Sequence, residues 1–446
     1  MRKRNKLLGE ANVLPENLEL NDEFLGVFNL LQNTSGHIFI TGKAGTGKTT
    51  LLKYFKKHTT KNIAVLAPTG VAAVNIGGQT IHSFFVFPPR LIQKDHIHKR
   101  RNTELIQKLD TIIIDEVSMV RADMMDGIDY ALRINREKMG VPFGGVQMIF
   151  FGDLFQLSPV IEKEARDILK QLYGSPYFFK AKVFNKLDLR YVELNKNYRQ
   201  SDAQFIDLLN KIRNKTQDED DLNLLNKRVK KVIQKDPDQY VLLTTTNSRA
   251  NETNEEKLAE LPTREYKYEA VITKKFEESA YPTEHCLRLK VGAQVILLKN
   301  DAGKKWVNGT IAHIVDLAED EIKVSIKGSI YDVPRSSWEK IEYAYNEEED
   351  KIEEKIIGTF EQYPIKLAWA ITIHKSQGQT FDNVVIDLGF GAFTHGQVYV
   401  GLSRCTSLEG IVLKRPITAR DIIFDERVYE FKDRFSSLFE NASDAP

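Results

Sequence analysis

Cysteine is nearly missing from this 446-residue chain, where Cys286 and Cys405 stand far apart and no others occur. Two thiols so placed make neither a metal-binding spacing nor a disulfide framework, which excludes a stapled secreted domain and fits a reducing compartment. A charge excess is missing too: 63 Lys and Arg against 62 Asp and Glu leave a net charge of +1. Any polyanion site must therefore be a local patch, because the global field attracts nothing. No apolar run approaches the ~20 residues that a membrane helix needs. The start, MRKRNKLLGEANVLPENLEL, is basic but lacks the apolar stretch of a signal peptide, so a solvated terminus and an intracellular, cytoplasmic setting are expected. No repeat of fixed period and no low-complexity tract occurs. What remains is an ordinary globular composition, 42% hydrophobic and 28% charged, long enough for two to four domains.

Against that background one stretch stands out, HIFITGKAGTGKTTLL from His37 to Leu52. It reads as an apolar strand, a glycine-rich turn and the first turns of a helix. The turn is Gly42-Lys43-Ala44-Gly45-Thr46-Gly47-Lys48-Thr49, a full G-x-x-x-x-G-K-[ST] pattern in its strand-to-helix setting, with Thr50 next in the helix. Its glycines let successive backbone N–H groups converge on a phosphate, and the helix N-terminus adds its positive end. Lys48 is placed to bridge the outer phosphates and the Thr49 hydroxyl to hold Mg²⁺, so the pattern predicts a nucleoside triphosphate with Mg²⁺.

Apolar β-like runs at His37–Thr41, Ile63–Ala67, Thr111–Ile114 and Val146–Phe151 alternate with helical segments, the pattern of a parallel sheet flanked by helices. The third run ends in Asp115-Glu116. Carboxylates at that end of a strand emerge where open α/β sheets bind ligands, Asp115 suiting Mg²⁺ and Glu116 a general base for water. The fourth run leads into GDLFQLSP, whose Gln156 is placed to bond both a γ-phosphate and a water. Arg199 in NYRQ and Arg404 in VYVGLSR (with Gly401) are candidates to stabilise transferring phosphoryl charge from a second unit. That second α/β unit is expected from Tyr191 onward, interrupted from Leu287 to Tyr345 by short strand-like runs that read as a small β-barrel. The acidic run Glu347–Lys355 reads as a solvated loop on its rim.

These blocks, with APTGVAAVNIGGQTIHSFF, ELNKNYRQ, AWAITIHKSQGQT and VYVGLSRCTSLEGI, resemble in kind and order the Pif-type, RecD-like group of superfamily 1B DNA helicases, and the compact chain resembles its bacterial members. The resemblance implies two RecA-like P-loop NTPase domains (1A and 2A), a small 1B wedge and an SH3-like β-barrel 2B insertion. Its expected bounds are an N-terminal segment 1–20, 1A over 21–165 with 1B near 87–104, 2A over 166–285 and 361–432, 2B over 286–360 and a tail 433–446. It implies an ATP-driven motor moving 5′ to 3′ on single-stranded DNA, parting duplexes, G-quadruplexes or RNA–DNA hybrids in repair, recombination or telomere upkeep, and so a nucleoid-associated bacterial protein. Lys48, Thr49, Asp115, Glu116, Gln156, Arg199 and Arg404 fall on the family's ATPase positions. Four segments are implied to face the strand: Pro68-Thr69-Gly70; Thr80 to Phe84 with His82; Thr244 to Asn247; and His374-Lys375-Ser376-Gln377. One departure is visible, Phe24 where the resemblance expects an adenine-reading Gln. The rival reading is a P-loop switch or remodeller acting on protein.

Overall fold

A computed structural model describes residues 21–88, 90–159, 161, 163–200, 202–229, 240–301, 303, 305–346, 348–349 and 351–440; the N-terminal segment expected as a solvated terminus lies outside them. The first domain opens with helix α1 (Asp22–Asn33), capped by the Asn21 side chain, and strand β1 (His37–Gly42). It continues through α2 (Lys48–His58), β2 (Ile63–Ala67), α3 (Gly70–Asn75), β3 (Gln79–Thr80), α4 (Ile81–Phe85), α5 (Glu104–Lys108) and β4 (Thr111–Ile114). It closes with α6 (Ala122–Asn135), β5 (Gln147–Phe151), α7 (Lys163–Tyr173) and β6 (Leu189–Leu194). The sheet is parallel with order β3-β2-β4-β5-β1-β6. Runs such as IFI, TIII and QMIFF are buried on both faces, the burial that makes a central parallel strand read as unbroken apolar sequence.

β6 corrects the expected boundary. It pairs with β1 along its whole length, from His37 against Leu189 to Gly42 against Leu194, so residues through Leu194 complete the first sheet rather than open a second unit. The segment after Phe87, where the 1B wedge is expected, is pinned to α6. Phe87 and Ile92 are buried there, and a side chain on Gly127 would stand 2.8 Å from Ile92.

The second domain begins with α8 (Ala203–Asn214), α9 (Glu219–Asn226), β7 (Val241–Thr244) and α10 (Asn247–Glu260). The inserted β domain follows: β8 (Glu265–Glu269), β9 (Val271–Lys274), β10 (Cys286–Lys290), β11 (Gln294–Leu297), β12 (Ile311–Leu317), β13 (Ile322–Ile326), β14 (Ser329–Asp332), β15 (Ser336–Asn346), β16 (Lys351–Gln362) and β17 (Ile365–Leu367). β8 pairs with β10 and β17 with β11, so the insertion runs from about 265 to 367, wider than 286–360. Its five-stranded sheet and the β8–β10 ribbon enclose one core around Leu289, Val295 and Ile365, the small barrel that the turn-punctuated runs predict.

β15 and β16 form a long hairpin that leaves the barrel and lies against the first domain. The Tyr343 hydroxyl, deep in that contact, accepts from Val65 N at 2.9 Å and donates to Val65 O at 3.3 Å. Lys56 pairs with Glu354 at 2.8 Å. The acidic run is therefore no idle rim loop. Its described residues form the hairpin tip and the start of β16, where Glu354 meets Lys56 and Ile352 N donates to Asn62 Oδ1 of the neighbouring domain at 3.4 Å.

The second domain resumes with β18 (Ala370–Thr372), β19 (Val384–Asp387), α11 (Gln397–Leu402) and β20 (Ile411–Leu413), in a parallel sheet ordered β18-β7-β19-β20. The last helix, α12 (Arg427–Glu440), crosses back. Val428, Phe431 and Phe435 are buried in the aromatic core of the first domain beside Phe39, Phe178 and Phe184, so the helix roots in that core instead of starting a tail at 433, while Tyr429 still donates to Asn214 O of α8 at 2.7 Å. Three buried apolar side chains at helical spacing outweigh chain proximity.

Candidate active site and nucleic-acid interface

The phosphate-binding turn is built as its sequence requires. Gly45 and Gly47 hold φ of +86° and +82°, and a Cβ on Gly45 would stand 2.6 Å from Arg199 Cβ. Gly47 caps α2, whose N-terminus opens on the turn. Lys48 Nζ donates to Gly42 O at 2.6 Å and Lys43 O at 3.1 Å, folded back on its own loop. Burial pulls the Lys48 pKa down, while Asp153 and Glu116 oppose that shift. Strand β4 ends at Ile114, Asp115 comes next, and Glu116 follows in the left-handed region at φ +48°. That conformation is uncommon for Glu and marks a turn under constraint; it swings Glu116 out of the strand's alternation toward the cleft. Burial, the largest cause in each case, raises both carboxyl pKa values; Glu116 adds to the rise at Asp115, while Lys48 and Arg404 restrain the rise at Glu116.

From the facing side the segment Asn197–Gln200 lies on the turn, with Tyr198 N donating to Gly45 O at 2.9 Å. Arg199 donates to Ser403 O at 3.1 Å. Arg404 is buried, 1% exposed, and donates to Val400 O at 3.0 Å and Ser376 O at 3.3 Å. Burial and then the charge of Arg199 pull the Arg404 pKa down to about 9. Arg199 and Arg404 are thus two desolvated guanidiniums in each other's field. Planar guanidiniums opposite a glycine turn suit the oxygens of a triphosphate, and the Asp115 carboxyl and the exposed Thr49 hydroxyl are oxygen donors of the kind that Mg²⁺ takes.

Gln156 stands between the two halves: its Nε2 donates to Asp153 at 3.2 Å and its Oε1 accepts from Gln377 at 3.4 Å. Gly401 lies elsewhere. Its missing side chain faces Ile373 and Ile386 in the second domain's core, so it makes room for packing and not for nucleotide. Sequence reasoning overlooked Tyr399, two residues before it, whose buried hydroxyl accepts Ala44 N at 3.1 Å. It also overlooked Arg213, whose pair with Asp153 at 3.1 Å spans the domains. Tyr399 and Asp153 lie inside the motifs VYVGLSR and GDLFQLSP, and Arg213 ends the segment ELNKNYRQSDAQFIDLLNKIR, which resembles a marker of the family but gives that arginine no role by itself. Phe24 points away from the site, packed edge-on against Tyr54 and buried.

The four strand-facing segments divide by exposure. Thr69, Asn247 and Lys375 are exposed, while Pro68, Thr80, His82 and His374 are partly so. Thr69 and Thr80 each cap a short helix, their hydroxyls accepting from Ala72 N and Ser83 N. Three residues turn inward. Phe84 is 3% exposed among Phe85, Tyr343 and Arg100, Thr244 is buried at the end of β7, and Ser376 spends its hydroxyl on Ile373 O. They serve packing and backbone satisfaction, because each sits on the core side of its segment. Gly70 lies under the inserted domain, where an added Cβ would stand 2.6 Å from Ala280.

A switch GTPase reads its base with Asn-Lys-x-Asp. The chain does carry Asn185-Lys186-Leu187-Asp188, but the tetrad precedes β6 and so lies at the opposite end of the parallel sheet from the phosphate turn.

The profile of the PIF1-like helicase family matches residues 19–222, that of the Pif1 DNA helicase 2B domain residues 278–317, and that of the UvrD-like helicase C-terminal domain residues 367–408. A Bdellovibrio bacteriovorus protein described as ATP-dependent DNA helicase Pif1 is 33% identical over 441 residues, 96% of this chain and 95% of the relative. Pif1 from Bacteroides sp in complex with ADP-AlF4 superposes with a TM-score of 0.88 at 40% identity, covering 94% of this chain and 98% of that one. The same Bacteroides helicase in complex with ADP-AlF3 and ssDNA, at equal identity and coverage, superposes with a TM-score of 0.68.

Proposed function

The chain belongs to the PIF1-like helicase family and is an ATP-dependent DNA helicase; on that premise we propose that it moves 5′ to 3′ along single-stranded DNA and that one cleft drives the movement. The observation that carries this reading is the meeting of Lys48, Asp115 and Glu116 from one domain with Arg199 and Arg404 from the other, joined through Gln156 to Gln377 beside the strand-facing segment. Glu116 orients and deprotonates the attacking water. Arg199 and Arg404 stabilise charge on the transferring group once the domains close, and Lys48 leaves its loop carbonyls to hold the outer phosphates. Asp115 and the Thr49 hydroxyl would hold Mg²⁺, whose chemistry there would be to screen phosphate charge. Gln156 reports whether a γ-phosphate is present, and Gln377 carries that report to His374 and Lys375.

The exposed track residues are hydroxyls, amides and a lysine, suited to backbone contact without base reading. Such a grip follows the strand whatever its partner, so duplexes, RNA–DNA hybrids and G-quadruplexes are all substrates, in a protein that sits on the bacterial nucleoid. The test is strand separation on tailed duplexes. Unwinding of a 5′-tailed duplex with none on a 3′-tailed one is expected, and the reverse preference refutes the direction.

The two Bacteroides forms carry similar nucleotide analogues and differ in ssDNA, and this chain has the arrangement of the form without it. In that arrangement the hairpin grips the first domain and Ala280 covers Gly70. Tyr343→Phe leaves the buried Val65 N–H unpaired only while the hairpin is docked, a cost of ~1–3 kcal/mol. Weakening the docked state raises apparent affinity for single strands, by about five-fold or more. Fluorescence anisotropy with labelled oligo-dT checks this, and unchanged affinity refutes the competition.

A further inference from the structure

The loop that carries Gln156 is held on several sides. Asp153 accepts from Phe155 N at 3.1 Å and from Gln156 Nε2 at 3.2 Å, and Arg213 of α8 pairs with it at 3.1 Å. The Arg213 guanidinium also lies 3.9 Å from the centroid of the Phe155 ring. Gly396 presses its backbone on the opposite side: a Cβ there would stand 2.5 Å from Phe155 O, and its φ of +72° suits glycine. His395 bonds Leu154 O through Nε2 at 2.9 Å and accepts Asp425 N at Nδ1 at 3.1 Å. Phe424 and Tyr429 complete the box, their rings 6.0 and 5.6 Å from that of Phe155.

These last two residues belong to a strap rooted in both domains. Ile417 and Ile422 are buried in the second domain's core, and Val428 and Phe431 in the first, where Phe431 stacks on Phe179 at 4.7 Å. Only residues 423–427 join the roots, a span that cannot exceed roughly 20 Å. Movement of one domain against the other must therefore pull on the segment that walls the Phe155 box.

We propose that Phe424 and Tyr429 are positioning residues for DNA-stimulated hydrolysis: the strap registers the separation of the domains and, through the Phe155 ring, sets where Gln156 stands. This rests on Gln156 as the γ-phosphate sensor. The test measures kcat and KM for ATP on the full chain, with and without saturating oligo-dT, for Phe424→Ala and for a Gly-Ser insertion between Asp425 and Glu426. The insertion slackens the strap and leaves both roots in place. Misplacing a catalytic group by an ångström costs up to about a hundred-fold, so DNA-stimulated kcat is expected to fall ten- to a hundred-fold while KM and the DNA-free rate stay within about two-fold. Tyr429→Phe keeps the ring and loses only its bond to Asn214 O, and is expected to behave as wild type. Full stimulation in the insertion variant overturns the proposal, as does an equal fall of basal and stimulated rates with a lowered Tm. Gln156→Ala separates the two claims: if it keeps full stimulation the sensor reading fails with the strap, and if it alone loses stimulation only the strap fails.

Discussion

Glu116→Gln binds nucleotide as tightly as wild type and hydrolyses almost none of it, with or without single-stranded DNA. The substitution keeps size and hydrogen-bonding capacity, so the left-handed turn at φ +48° that aims the side chain is retained. It removes only the group that accepts the water's proton, and a positioned general base contributes ~10²–10⁴-fold. Affinity should hold or improve, because a carboxylate among Asp115 and Asp153 repels phosphate. Steady-state hydrolysis beside fluorescent-nucleotide titration checks both halves, and full turnover by the variant removes Glu116 from the chemistry.

Arg404→Ala is expected to cost more, ~10³–10⁵ in DNA-stimulated kcat, as fitting for a guanidinium on the transition state. Without substrate charge Arg404 is held on Val400 O, Ser376 O and Gln379 O, carbonyls of its own domain, at distances of 3.0 to 3.4 Å. Those bonds make its position a property of the second domain, so it acts only when that domain closes on the phosphate turn. Arg404→Lys should not rescue, since an ammonium lacks the planar fork and reaches neither the carbonyls nor the phosphate with the same geometry. A small change in Tm with an intact KM separates catalysis from folding. Unchanged turnover assigns Arg404 to structure alone.

How far such sites can be read in advance depends on the range of the interactions that make them. The phosphate turn, the Asp115-Glu116 strand end and the Gln156 loop each lie within a dozen residues of an apolar strand. Strand, turn and helix-start chemistry are local, and local chemistry shows in sequence. Thr244 and Ser376 face inward where the resemblance sets them against the strand, and Phe84 takes the core place that an aromatic favours, because facing inward or outward on a short segment depends on what packs over it. Arg213 escaped notice since an arginine on an amphipathic helix looks the same whether it meets water or a buried Asp153.

From residue order alone came the phosphate turn, the parallel sheets, the barrel insertion and the carboxylate pair at the end of the third run, because glycine conformations, strand periodicity and charge at strand ends are decided by neighbours along the chain. The tertiary structure alone decided that β6 closes the first sheet, that the hairpin of the inserted domain grips the first domain, and that α12 returns to tie both domains at Phe155. Those contacts join residues tens to hundreds of positions apart, and they are chosen by burial of matching surfaces, which no local pattern encodes.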